Sequence, residues 1–214
     1  METVSGEVEI KIGGVVLGGN LIPPGPQRHG LVVFAHGSGS SRFSPRNNQV
    51  ASVLREAGFG TLLFDLLTEK EDENYETRFD IELLTRRLER VTSWVSGKLQ
   101  MKPLKIGYFG ASTGAAAALR GAADLGEEVI GAVVSRGGRP DMAGVHLRRV
   151  FSPTLLLVGE MDPEVLEMNR TALKEIGAPV KKLVVIPKAT HLFEEPGTLD
   201  LVAKHAAEWF SEHL

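Results

Sequence analysis

The chain of 214 residues carries a net charge of −3, with 43% hydrophobic and 24% charged residues, a makeup that fits one soluble α/β domain over residues 1–214. Lys and Arg are interspersed with Asp and Glu, so no basic stripe offers to neutralise a row of phosphates and nucleic acid is not an expected partner. There is no cysteine, which excludes disulfides, Cys-ligated zinc and a thiol nucleophile; residues 1–7 have no signal-peptide character and no run reaches membrane-spanning length, so a cytoplasmic location without membrane contact is expected.

Glu7–Ile12 alternates with period two, and after Gly13-Gly14 the segment Val15–Ile22 continues apolar to Pro23-Pro24. This predicts an antiparallel hairpin. Leu31–Ala35 is a continuous apolar run suited to a strand buried on both faces, followed by the small-residue loop His36-Gly37-Ser38-Gly39-Ser40-Ser41. Ser44-Pro45 reads as an N-cap with proline at the first helical position, and Val50, Val53, Leu54 and Ala57 give the inner face of a helix ending at Gly58. Gly60–Asp65 is a further buried strand. The acidic stretch Glu69–Glu76 is expected as a surface loop, and Leu84, Leu88, Val91 and Val95 as a helix closed by Gly97.

Leu104–Phe109 is the next strand, followed by Gly110-Ala111-Ser112-Thr113-Gly114 and an Ala-rich helix. Strand, sharp turn and helix with small residues two places either side of a serine is the pattern that strains the turn and exposes the serine Oγ. Val129–Ser135 is a strand ending at Arg136-Gly137-Gly138-Arg139, and Asp141–Arg149 a short helix. Thr154–Gly159 is a strand, Asp162-Pro163 opens a helix, Lys182–Pro187 is the last strand, and the closing helix turns Leu199, Val202, Ala206 and Phe210 inward. Alternating strands and helices predict a mainly parallel, doubly wound sheet. Ser38, Ser112, Arg136, Asp162 and His191 all fall at carboxyl ends of strands, where ligands bind in such sheets.

A serine nucleophile needs a base and an acid to orient that base, and in this architecture they follow in the order serine, acid, histidine. Ser112, Asp162 and His191 satisfy order and placement. His29, His36, His146, His205 and His213 lie before the serine or in helices. For the acid, Glu160 and Asp65 remain alternatives, and a helix N-cap is the rival role for Asp162. Backbone N–H groups of Thr113 and Ser38 are the candidate oxyanion donors. Arg42, Arg46, Arg136 and Arg139 lie at loops near the expected pocket, where they would either bind an anionic substrate or brace the loops.

These motifs, with Gly159-Glu160-Met161-Asp162 and Thr190-His191-Leu192-Phe193, make the chain resemble the α/β-hydrolase superfamily, and within it the small dienelactone hydrolase-like group. Dienelactone hydrolase itself uses a cysteine nucleophile where Ser112 stands here, so its lactone substrate does not carry over. The resemblance implies the α/β-hydrolase fold without a lid domain and a carboxylesterase-like serine hydrolase acting on a small or soluble ester or thioester, with no cofactor or metal. Acyl transfer or perhydrolysis on the same triad, and non-catalytic binding of an anion in an Arg-lined pocket, are the alternatives. Oligomeric state is not readable from the sequence.

Overall fold

The computed structural model describes residues 5–25, 30–99 and 104–214; His29 lies outside them. Eight strands form one sheet in the order β1-β2-β4-β3-β5-β6-β7-β8, with β1 Gly6–Ile12, β2 Val15–Ile22, β3 Gly30–Ala35, β4 Gly60–Phe64, β5 Lys105–Ala111, β6 Ile130–Arg136, β7 Thr154–Gly159 and β8 Lys181–Ile186. The hairpin β1–β2 pairs antiparallel and joins β4 antiparallel, while β3 to β8 run parallel. This is the α/β-hydrolase architecture with an N-terminal antiparallel hairpin.

The apolar run of β3 explains its central place. Leu31, Val33 and Ala35 join the core on one face, with α3 (Ile81–Leu99) and α4 (Thr113–Leu125), and Val32 and Phe34 join the core on the other, with α1 (Pro45–Glu56) and α6 (Thr198–His213). A strand whose every side chain is buried has no polar position to spare, hence the unbroken hydrophobic reading. Ser44 caps α1 by accepting from the Asn47 N–H, as the Ser-Pro pair predicts.

Three expectations change. The acidic stretch holds a short helix, α2 (Glu69–Asp72), opened by a capping box: Thr68 Oγ1 accepts from Glu71 N–H and the Glu71 carboxylate accepts from Thr68 N–H. Thr68-Glu69-Lys70-Glu71 carries that signal in the sequence. Gly97 does not close α3, which runs on to Leu99, because Gly97 lacks the left-handed φ of a C-terminal cap. The segment Pro140–Arg149 is not one helix but 3₁₀ turns broken at Gly144, where φ is 55°. It occupies the link between β6 and β7, and among the described residues no separate lid domain is inserted there.

Candidate active site

Ser112 forms the corner between β5 and α4 with φ 51° and ψ −121°, a conformation costing a non-glycine residue about 1–3 kcal/mol. Its surroundings fix it there. Ser112 N–H donates to the Arg136 carbonyl on the neighbouring strand at 3.2 Å, and its own carbonyl accepts from Ala115 and Arg139 N–H at 3.1 Å each. The flanking glycines are required by space: a Cβ on Gly110 would lie 2.4 Å from Ala115 Cα, and one on Gly114 2.2 Å from the Ala35 carbonyl oxygen. The fully buried Ala115–Ala118 let α4 close onto the sheet. Ser112 remains partly exposed.

The chain returns to this corner from β7 and β8. Asp162 ends the β7 loop at the N-terminus of α5 (Pro163–Glu175), yet its carboxylate makes no capping bond. It turns to His191, whose Nδ1 donates to Asp162 Oδ2 at 2.7 Å. That leaves the opposite ring nitrogen, Nε2, for a second partner. Gly159 lets the histidine loop fold over the end of β7, since a Cβ there would lie 2.3 Å from the Ala189 carbonyl oxygen. The ring lies beside the chain just past β6: its Cε1 would be 3.6 Å from a Cβ on Gly137, one residue beyond Arg136, whose carbonyl accepts the Ser112 N–H.

Two carboxylates hold that loop, and spacing alone did not reveal either role. Glu160, an alternative acid on the sequence, instead accepts from Lys188 N–H at 2.8 Å. Glu195 accepts from Thr190 N–H at 3.0 Å and from its hydroxyl at 2.6 Å, and these bonds hold Glu195 below its ordinary carboxylate value. The other alternative acid, Asp65, is occupied elsewhere, accepting from Arg42 through both backbone N–H and guanidinium.

On the other side of Ser112, the loop after β3 presses close: a Cβ on Gly37 would be 3.0 Å from Ser112 Cβ. His36 is an anchor here. Its Nδ1 donates to the Gly37 carbonyl and its Nε2 accepts from Leu66 N–H at 3.0 Å, while burial lowers its pKa and keeps it neutral. Ser38 N–H donates to Thr113 Oγ1 at 2.9 Å, tying this loop to the first turn of α4. Thr113 N–H, in that first turn, has no intrahelical acceptor.

The four arginines do not converge. Arg42 pairs with Asp65 in a cleft of about 910 Å³ between the hairpin and the loops at 40–43 and 65–72, which neither Ser112 nor His191 lines. Arg139 pairs with Asp141 at 2.7 Å. Arg46 pairs with Glu194 at 2.8 Å, next to the histidine loop. Arg136, among the described residues, has no carboxylate partner; it is 8% exposed, with its guanidinium 5.9 Å from the Phe193 ring centre.

Comparison with known proteins agrees with this architecture. The model of the dienelactone hydrolase family matches residues 18–213. A crystal structure of dienelactone hydrolase from Anabaena variabilis is 52% identical with a TM-score of 0.92, covering 97% of each chain. Est1E from Butyrivibrio proteoclasticus shares the fold at 19% identity and a TM-score of 0.80, over 97% of this chain and 98% of its own. A Mycobacterium tuberculosis protein provisionally named a phosphoribosyl transferase is 56% identical over 97% of this chain, which spans only 46% of that relative's length.

Proposed function

Because the chain belongs to the dienelactone hydrolase family, we propose that it is a serine hydrolase that cleaves a small or soluble carboxylic ester or thioester through Ser112, His191 and Asp162. The observation that supports this reading is the 2.7 Å pairing of His191 Nδ1 with a carboxylate that has no capping bond to make, its ring against Gly137, next in the chain to the residue whose carbonyl holds the Ser112 N–H. A neutral imidazole that donates from Nδ1 has its lone pair on Nε2, the nitrogen a serine proton needs.

In this mechanism Ser112 Oγ attacks the ester carbonyl as His191 Nε2 takes its proton, and Asp162 stabilises the imidazolium that results. Negative charge on the carbonyl oxygen is met by backbone N–H of Thr113 and Ser38. The Ser38 N–H, which rests on the Thr113 hydroxyl in the free chain, turns its bond to the oxyanion; a donor lost from such a hole costs about 2.7–4 kcal/mol. His191 then protonates the leaving group, and water, deprotonated by the same nitrogen, releases the acid. The phosphoribosyl transferase name belongs to a relative more than half of which lies outside the match, and acyl chemistry is what a serine, histidine and carboxylate support.

Steady-state hydrolysis of p-nitrophenyl acetate by the chain and by Ser112→Ala tests this. Turnover by the chain, abolished in a variant with unchanged melting temperature, is the expected result. Equal rates in both would overturn it. Product analysis with added alcohol or peroxide acceptors separates hydrolysis from acyl transfer.

A further inference from the structure

Asn169 is a polar residue in the wrong place for its type. It is fully buried on α5, two turns beyond Asp162 and on the same side of the helix, and the other inward positions, Val165, Leu166 and Ala172, are apolar. An amide favours neither a helix interior nor an apolar face, and its Oδ1 finds no partner among the described residues. The nitrogen explains the residue. Asn169 Nδ2 donates to the Val165 carbonyl one turn back at 2.8 Å and to the Gly138 carbonyl at 3.0 Å.

Gly138 lies in the loop after β6, which touches both the serine and the histidine. The Arg136 carbonyl accepts the Ser112 N–H at 3.2 Å and Arg139 N–H donates to the Ser112 carbonyl at 3.1 Å, so this loop holds the strained corner through both of its peptide groups. Gly137 packs on the histidine loop, where its Cβ would lie 3.2 Å from the His191 carbonyl oxygen. Between these contacts stand two glycines, the most permissive backbone there is. No side chain can stiffen the second of them, since a Cβ on Gly138 would lie 2.0 Å from Ser135 Oγ and 2.6 Å from Ala115 Cβ. The loop is fixed by hydrogen bonds instead: Gly137 N–H donates to the Leu157 carbonyl on β7 at 2.8 Å, and the Gly138 carbonyl accepts from Asn169.

We propose that Asn169 is a positioning residue for the nucleophile: its amide fixes the Gly138 peptide, which keeps Arg139 N–H on the Ser112 carbonyl and holds the Ser112 corner in register with His191. One rigid helix then carries both the carboxylate that orients the histidine, at its first turn, and the amide that steadies the serine, two turns on. The catalytic consequence rests on the hydrolase reading above; the tie between α5 and the loop does not.

The test has a structural arm and a kinetic arm. By NMR, the Asn169 side-chain amide protons of the parent exchange slowly with solvent. In Asn169→Leu, which keeps the volume and loses the donor, the Ser112 and Arg139 amides exchange roughly tenfold faster, the size of a lost neutral hydrogen bond, while those of Val32 and Phe34 keep their rates. In kinetics with p-nitrophenyl acetate, kcat falls roughly tenfold to a hundredfold in Asn169→Leu with KM unchanged, the signature of a misplaced reacting group. Asn169→Ser, whose hydroxyl reaches the Val165 carbonyl one turn back but not Gly138, loses as much. Ile176→Val, buried at the far end of the same helix, lowers the melting temperature and leaves kcat alone. Unaltered kcat and unaltered Ser112 and Arg139 exchange in Asn169→Leu, or in Asn169→Ser should the first variant not fold, would overturn the proposal. So would Asn169 side-chain protons in the parent that exchange as fast as those of an exposed asparagine, or an equal fall in kcat in Ile176→Val. If the parent turns over no ester, the hydrolase reading fails and the structural arm alone decides this one.

Discussion

Gly114→Ala sets two effects of known sign against each other. Gly114 lies in the first turn of α4 without a left-handed φ, so alanine would ordinarily stabilise the helix by about 0.8–1.0 kcal/mol. Here the new Cβ would lie 2.2 Å from the Ala35 carbonyl oxygen and 2.4 Å from that of His36, where ordinary contact begins at 3.4 Å. Both atoms are backbone, so α4 must move away from the end of β3 by about 1 Å; forcing extra volume into a packed site costs about 1–3 kcal/mol. The clash outweighs the helix gain over most of that range, giving a net loss of up to about 2 kcal/mol. The displaced segment carries Ser112 on one side and the Ser38 loop on the other, and a misplacement of about 1 Å at such a site costs on the order of 10²-fold in rate. Urea melts and p-nitrophenyl acetate turnover measure both. Gly97→Ala is the matched control: an exposed helical glycine with no atom of the described residues within 4 Å of an added Cβ, it should gain up to about 1 kcal/mol and keep full activity. A Gly114→Ala variant as stable and as active as the parent would refute the claim that close approach of helix and strand builds the site.

Asp162→Asn should lower kcat on the order of 10⁴-fold by favouring the wrong histidine tautomer; since asparagine caps helices as well as aspartate, full activity would mean that Asp162 only serves α5. Thr113→Val removes the acceptor that the Ser38 N–H gives up on turning to the oxyanion, so it should cost up to about 1.5 kcal/mol of stability, the worth of a neutral hydrogen bond, without lowering kcat, with Thr113→Ser close to the parent in both; a fall in kcat on the order of tenfold with unchanged stability would contradict this. Burial holds His36 below its ordinary 6.5, so the unfolded chain binds more protons there than the folded one. That contribution to stability is complete above 6.5 and is lost as pH falls through this value toward the lower folded one. Urea midpoints between about pH 8 and about pH 5 should decline accordingly, and less steeply in His36→Asn.

The sheet was readable because β3 is an unbroken apolar run buried on both faces and β5 is buried on both faces beyond its exposed first residue, Lys105, as a central strand requires. The corner at Ser112 was readable because small residues sit where helix meets strand. What spacing could not decide was the direction of a side chain. The same carboxylate at Asp162 suits a cap or a histidine, and its choice depends on a loop arriving from β8. The arginines hid their roles for a related reason: the partner of Arg42 is 23 residues away and that of Arg46 is 148, so neither pairing is a local pattern. The break at Gly144 was missed because a glycine inside a short polar segment reads equally as helix or turn.

The central claim is that Ser112 is an activated nucleophile driven by His191. The most direct measurement is intact-mass and peptide-mapped labelling by a fluorophosphonate of the chain and of His191→Ala at neutral pH. One adduct per chain is expected, on Ser112, and almost none in the variant. No adduct on the folded parent, an adduct on another residue, or equal labelling without His191 would contradict it.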